Sequence, residues 1–200
     1  LIFDASPFYA EKGGQSGDKG VIQDAEGKIV ALVTDTKSAP AGQTLHIVET
    51  KSELTVGTEY KLVVSEVRRM LIERNHTATH LLHQALKDVL GGHVNQAGSL
   101  VAPDHLRFDF THLEQVSPEQ LEEIEKIINE KISEAHPVET IVTSIDQARE
   151  MGAMALFGEK YGEKVRVVSM GDFSKEFCGG THVKNTSDIK VFKILSESGV

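Results

Sequence analysis

The chain has 200 residues, 40% hydrophobic and 26% charged, with a formal net charge of -9. This composition suits a globular chain able to bury a core in one large domain or two small ones. No run approaches the roughly eighteen apolar residues of a membrane span, and the opening LIFDASPFYAEKGG lacks the basic and long apolar runs of a signal peptide, so no membrane contact is expected. Cys178 is the single cysteine, which rules out an internal disulfide and points to a reducing, cytoplasmic setting. The absent initiator Met suggests a piece of a longer protein.

In chain order, GVIQD, KIVALVTDT, TLHIVE and YKLVVS are short β-rich runs separated by Gly, Pro, Asp and Ser turns. Residues 1–64 are therefore expected to form a small β-barrel-like or meander subdomain carrying the glycine-rich loop GGQSGDKG. A long helix is expected from about Glu66 to Leu90, ending at Gly91-Gly92. Two strands follow, NQAGSLVA and LRFDFTH, and then an acidic helix opened by Ser117-Pro118 with Glu119 and Gln120 in its first turn. VETIVTSI reads as a strand, DQAREMGAMALF as a short helical piece and KVRVVSM as a strand. GDFSKEFCGGTHVKNTS reads as a loop, and IKVFKIL closes the chain. Grouped rather than alternating helices and strands favour α+β. The expected core, residues 65–200, is a two-layer sandwich with a mainly antiparallel sheet.

The acidic excess is local. Residues 113–150 hold three basic against ten acidic residues, whereas residues 60–112 hold six against five, with Arg68, Arg69 and Arg74 grouped beside three histidines. An acidic protein is a poor partner for phosphates, but this distribution permits an RNA contact. At 100° per residue, His76, His80 and His83 share one helix face, within about 60°. Val67, Leu71, Ala78, Leu82, Ala85 and Val89 occupy the other face. The histidines are thus expected off the main core face, in solvent or in something built to receive them.

His76-x-x-x-His80 places two imidazoles one helical turn apart. CGGTH supplies Cys178 and His182, with glycines that let the loop fold tightly. Either half alone is commonly incidental. Together they form a candidate four-ligand set of the kind Zn²⁺ prefers, the thiolate disfavouring magnesium and calcium. A metalloprotease is disfavoured, because Thr77 stands where its helix needs a Glu base.

The blocks SPFYAEKGGQSGDKG, NHTATHLLHQAL, HVNQAGSLVAPDHLRFDFTH, GAMALFGEKYGEKVRVVSMGDFS, FCGGTHV and FKILSESGV together resemble the editing domain of bacterial alanyl-tRNA synthetase, in order and spacing, over essentially the whole chain. The resemblance implies a zinc-dependent deacylase that hydrolyses Ser-tRNA(Ala) and Gly-tRNA(Ala), with His76, His80, Cys178 and His182 where the zinc motifs stand. It leaves His83 outside the ligand pattern, as a helix residue near the site. Gln96 gains from it a role in contacting water or substrate, in place of that of an ordinary strand amide. Cys178 and Thr77 join Gln96 as the residues expected at the chemistry. Thr77 and Thr79 either help recognise serine or bond back to the helix backbone. The loop bearing Gly13, Gly14 and Gly17 is expected to border the active site.

The implied partners are tRNA(Ala) mischarged with Ser or Gly and the remainder of a synthetase chain, with oligomers formed only through the full-length protein. Two other readings stand beside this one. They are a change of owner, to a free-standing editing protein of the same superfamily or the related editing domain of threonyl-tRNA synthetase, and a structural zinc module that binds tRNA without catalysis. Four protein ligands make a closed site, whereas metal-activated water needs an open position. Sequence therefore leaves open whether zinc activates water or shapes the pocket.

Overall fold

The computed structural model describes residues 1–155 and 162–199. Four strands come first: β1 (Gly20–Gln23), β2 (Ile29–Ser38), β3 (Thr44–Thr50) and β4 (Lys61–Val64). They form one antiparallel sheet in the order β3-β2-β1-β4. The meander expected there holds from β1 to β3, but β4 returns to pair with β1, setting Val63 opposite Val21. Inward residues of these strands, Ile22, Val30, Ala31 and Val33, bury with Phe8 in a small separate core.

Helix α1 (Glu66–Leu90) runs 25 residues, with Glu66 in its first turn and Lys87 in its last, charges that complement the helix dipole. It stops at Gly91, whose φ of 117° suits glycine. Strands β5 (Gln96–Val101) and β6 (Leu106–Phe110) form an antiparallel hairpin against it. Helix α2 (Pro118–Ser133) begins with the full capping box foreseen in the sequence, Ser117 and Gln120 each bonding the other's backbone N–H. Its Ile124, Ile128 and Ile132, spaced at i, i+4, i+8, lie buried against Ala78, Leu81, Ala85 and Leu86 of α1. Each such side chain contributes about 1.5–3 kcal/mol.

The third sheet is antiparallel, in the order β7-β8-β9, from β7 (Val138–Ser144), β8 (Lys164–Met170) and β9 (Ser174–Phe177). The chain is thus α+β and mainly antiparallel, with its strands divided among three sheets. Strand β9 corrects the sequence reading, which made 171–187 one loop. The loop signal of its glycines hid a four-residue run whose backbone pairs with Val167–Met170. Helix α3 (Ile145–Glu150) is shorter than the expected piece, because the chain turns at Met151-Gly152, with Gly152 at φ 74°. The end of that piece lies outside the described residues. No described helix is long and apolar enough to cross a membrane.

Of the two alternatives for the histidine face of α1, solvent is excluded: His76, His80 and His83 are buried, and so are Thr77 and Thr79, while Val67, expected on the core face, is 66% exposed. The helix is covered on several sides by the N-terminal loop, β5 and β9, so a face without aliphatic residues is still interior.

Candidate metal centre

Four segments build the site. Helix α1 delivers His76 and His80 from adjacent turns, their rings stacked at 5.3 Å. Cys178 follows β9 directly and still holds to the sheet, its N–H donating to Arg166 O at 2.9 Å. His182 closes the loop after it. Its Nε2 is 3.2 Å from Cys178 Sγ, and His76 Nε2 is 3.4 Å from the same sulfur. One donor atom from each of His76, His80, Cys178 and His182 lies within 4.8 Å of all the others. Among the described residues this is the group suited to a metal, and His83 stands outside it. The glycine-rich loop supplies the fourth segment.

Each imidazole is held from behind at Nδ1. Gln15 Oε1 faces His76 Nδ1 at 2.8 Å, Thr77 Oγ1 faces His182 Nδ1 at 3.1 Å, and Glu176 Oε2 faces His80 Nδ1 at 2.5 Å. All three Nε2 atoms are thereby left for the centre. This is the arrangement by which outer partners set the tautomer of metal-ligating histidines. His80 Nε2 is buried with no hydrogen-bond partner among the described residues, a costly state for a polar atom that a metal would relieve. Three imidazoles and one thiolate fit zinc.

The electrostatics favour the same assignment. Burial alone would lower the pKa of His80, but the Glu176 carboxylate and Cys178 thiolate outweigh it and lift His80 to about 10. Burial opposes ionisation of Glu176, and His80 and then His83 overcome it, bringing Glu176 to about 2. Cys178 likewise falls well below an ordinary thiol, because the charges of His80 and His76 exceed its desolvation. His182 is pushed down to about 3, first by burial and then by His76. These shifts favour the thiolate form of Cys178 and leave His182 neutral at neutral pH.

The loop around Cys178 is braced on both sides. Arg166 Nη1 donates to Cys178 O at 3.0 Å and also to Gly180 O. Gln15, fully buried, accepts from Thr181 N at 2.9 Å and donates Nε2 to Thr181 Oγ1 at 2.9 Å. Gly180 owes its identity to this crowding, since a Cβ there would run into the His76 ring and Gln15 Oε1. Gly179 has open space instead. The reason for one of the two glycines is therefore close approach of side chains.

His76, His80 and Cys178 face a cleft of about 490 Å³, lined also by Tyr9, Lys12, Thr79, Gln96 and Ser99. Gln96 begins β5, half-buried, with Nε2 3.4 Å from Ser99 Oγ. Thr79 Oγ1 bonds back to Asn75 O at 2.8 Å, the local alternative foreseen for one of the two threonines. Thr77 is fully buried and engaged with His182 and with Val183 N at 3.3 Å. The glycine-rich loop does border the cleft, through Gly13, and Gly14 has φ 83° with its Cα packed on the Ser99 backbone. Two of the arginines grouped near the histidines are tied to that loop: Arg69 pairs with buried Asp18, and Arg68 Nη2 donates to Gly17 O at 3.3 Å.

Gln15, Arg166 and Glu176 are the site residues that sequence reasoning missed. Glu176 had a signal, lying two positions before Cys178 and so on the same side of a strand, but that strand had been read as loop. Gln15 reaches its partners across 61 and 166 residues, and no local pattern carries such a contact.

Two family models match the chain. One, described as the threonyl and alanyl tRNA synthetase second additional domain, covers residues 165–200, and one for class II (A) tRNA synthetases covers residues 1–68. Over all 200 residues the chain is 63% identical to an alanine-tRNA ligase of Enterococcus faecalis, 57% to one of Pediococcus pentosaceus and 58% to one of Latilactobacillus sakei. In each case it spans 23% of the relative's length.

Proposed function

The chain is homologous throughout to one segment of bacterial alanine-tRNA ligases, and we propose that it is the editing segment of such a ligase, hydrolysing the ester of Ser-tRNA(Ala) and Gly-tRNA(Ala). The observation that carries this reading is the clustering of His76, His80, Cys178 and His182, of which His76, His80 and Cys178 line a cleft shared with Gln96 and Thr79. The need for such an activity is physical. A pocket for alanine cannot reject the smaller glycine by size, and one added hydroxyl costs serine little, so discrimination must be repeated at a second site.

In this reading His76, His80, Cys178 and His182 hold zinc, which when bound supplies Lewis acidity toward an ester carbonyl. The Cys178 thiolate contributes charge to the set. Gln96 presents its carboxamide to substrate or water from the cleft wall. Thr77 acts by holding His182, and Thr79 is the threonine that lines the cleft. Residues 65–200 serve as the editing core, a two-layer sandwich, and residues 1–64 as a barrel-like subdomain whose glycine-rich loop completes the site. The partners are mischarged tRNA(Ala) and the rest of the ligase chain, in the cytoplasm.

A set of four protein donors is also the set of a closed structural site, which favours a second reading, a structural zinc module that binds tRNA without catalysis. Deacylation of Ser-tRNA(Ala) and zinc content, measured side by side, separate the two. We expect hydrolysis by the zinc-loaded protein and loss of both properties in Cys178→Ala with the fold intact by circular dichroism. Zinc retention without hydrolysis in the wild type supports the structural module. Unchanged hydrolysis in Cys178→Ala overturns the editing assignment.

A further inference from the structure

His83 and Glu176 are buried side chains outside the lining of the cleft and are not themselves donors of the metal group. Glu176, 1% exposed, receives His80 Nδ1 on Oε2 at 2.5 Å and His83 Nδ1 on Oε1 at 2.6 Å. A carboxylate only accepts, so both rings must present N–H to it. The carboxylate thereby keeps the His80 proton on Nδ1, so that Nε2, facing the other donors, is the nitrogen that would give up its proton to a metal.

We infer that Glu176 is a positioning residue of the metal centre, and that His83 serves the centre through it by locking the second carboxylate oxygen. This rests on the reading of His76, His80, Cys178 and His182 as a zinc site. Strand β9 places Glu176 two residues before Cys178, so one short segment delivers a donor and the group that orients another. His83 lies one helical turn beyond His80 on α1 and closes the bridge from the same helix. Among the described residues its Nε2 has no partner, and its ring rests 5.3 Å from Phe108, so Glu176 is the polar contact that holds it. Without His83, one buried carboxylate oxygen would be left unpaired and the carboxyl group free to turn away from His80. Three histidines in eight residues thus have two distinct duties: two as donors, and one as an anchor two hydrogen bonds away from the metal.

Zinc affinity, read by chelator competition, tests this on wild type, Glu176→Gln, His83→Leu and the double variant, with circular dichroism to check folding and the absorption bands of the cobalt-substituted protein to report donor geometry. We expect Glu176→Gln to weaken zinc about 10- to 100-fold, the range for outer partners of metal ligands, and to shift the cobalt bands. His83→Leu should lose affinity severalfold, and the double variant should be no weaker than Glu176→Gln alone, since His83 acts through Glu176. Wild-type affinity in Glu176→Gln, or losses that multiply in the double variant, overturns the inference. If Glu176→Gln does not fold, His83→Leu carries the test, where a severalfold loss supports the inference and none overturns it. A wild type that binds no zinc is a different result, the failure of the metal-centre reading itself.

Discussion

Gln15 Oε1 lies 2.8 Å from His76 Nδ1 and 2.9 Å from Thr181 N. A backbone N–H only donates, so this oxygen is the acceptor, and His76 must present an N–H at Nδ1 and turn its Nε2 to Cys178. One carboxamide from the N-terminal loop therefore sets a helix histidine and pins the loop after Cys178. Replacing Gln15 with Met, which fills the space without accepting, should weaken zinc about tenfold or more. Gln15→Glu keeps both acceptor contacts and should hold zinc as well as the wild type. Chelator competition on the two variants checks the pair, and equal loss in both would argue that packing alone matters at this position.

Gly180→Ala is expected to be far more damaging than its size suggests. The added methyl meets the His76 ring and Gln15 Oε1, both of which are held by the site. Overpacking of this kind costs about 1–3 kcal/mol, and here it also displaces a donor. Thermal unfolding and zinc analysis should both register the change. The same substitution at Gly179, which has open space around it, should leave zinc content near that of the wild type.

Thr77 separates a hydroxyl's role from its volume. Thr77→Ser keeps the oxygen that faces His182 Nδ1 and Val183 N, whereas Thr77→Val keeps the shape and loses it. Leaving a buried donor unsatisfied costs about 1–3 kcal/mol. Stability and zinc affinity should fall in the Val variant and largely persist in the Ser variant, as measured by denaturant unfolding and chelator competition.

Zinc uptake should release at least one proton near neutral pH, because metal ligands bind deprotonated. His182 is neutral there, while His80, lifted to about 10, still holds a proton that the metal must displace. Protons compete for His80 below its pKa, so apparent affinity should rise with pH, about tenfold per unit or more, and level off near pH 10. Calorimetry in buffers of different ionisation enthalpy counts the protons, and uptake with none released would contradict a protonated His80.

Ser117→Ala tests the fold at a distance from the site. It removes the oxygen that caps Gln120 N at 3.2 Å at the start of α2, the helix whose isoleucines pack on α1. Loss of such a cap costs about 0.5–2 kcal/mol. Urea unfolding should show that loss, and zinc affinity should be unaffected.

Local physics wrote most of the elements into the sequence. Period-two runs mark β1 to β8, the Ser117 capping box marks the start of α2, and Gly91 marks the end of α1, because each depends on residues within a few positions of one another. The grouping of His76 and His80 is legible for the same reason, since helical pitch fixes it. CGGTH marks the other two donors by their types and their closeness. Tertiary structure decided what surrounds them. Burial of the histidine face depends on which segments fold over it, and β9 becomes a strand only because β8 offers it a backbone partner. Gln15 and Glu176 acquire their roles through contacts spanning 61 to 166 residues. Such pairings cost loop-closure entropy and are stabilised by the packed whole, so no window of the sequence contains them.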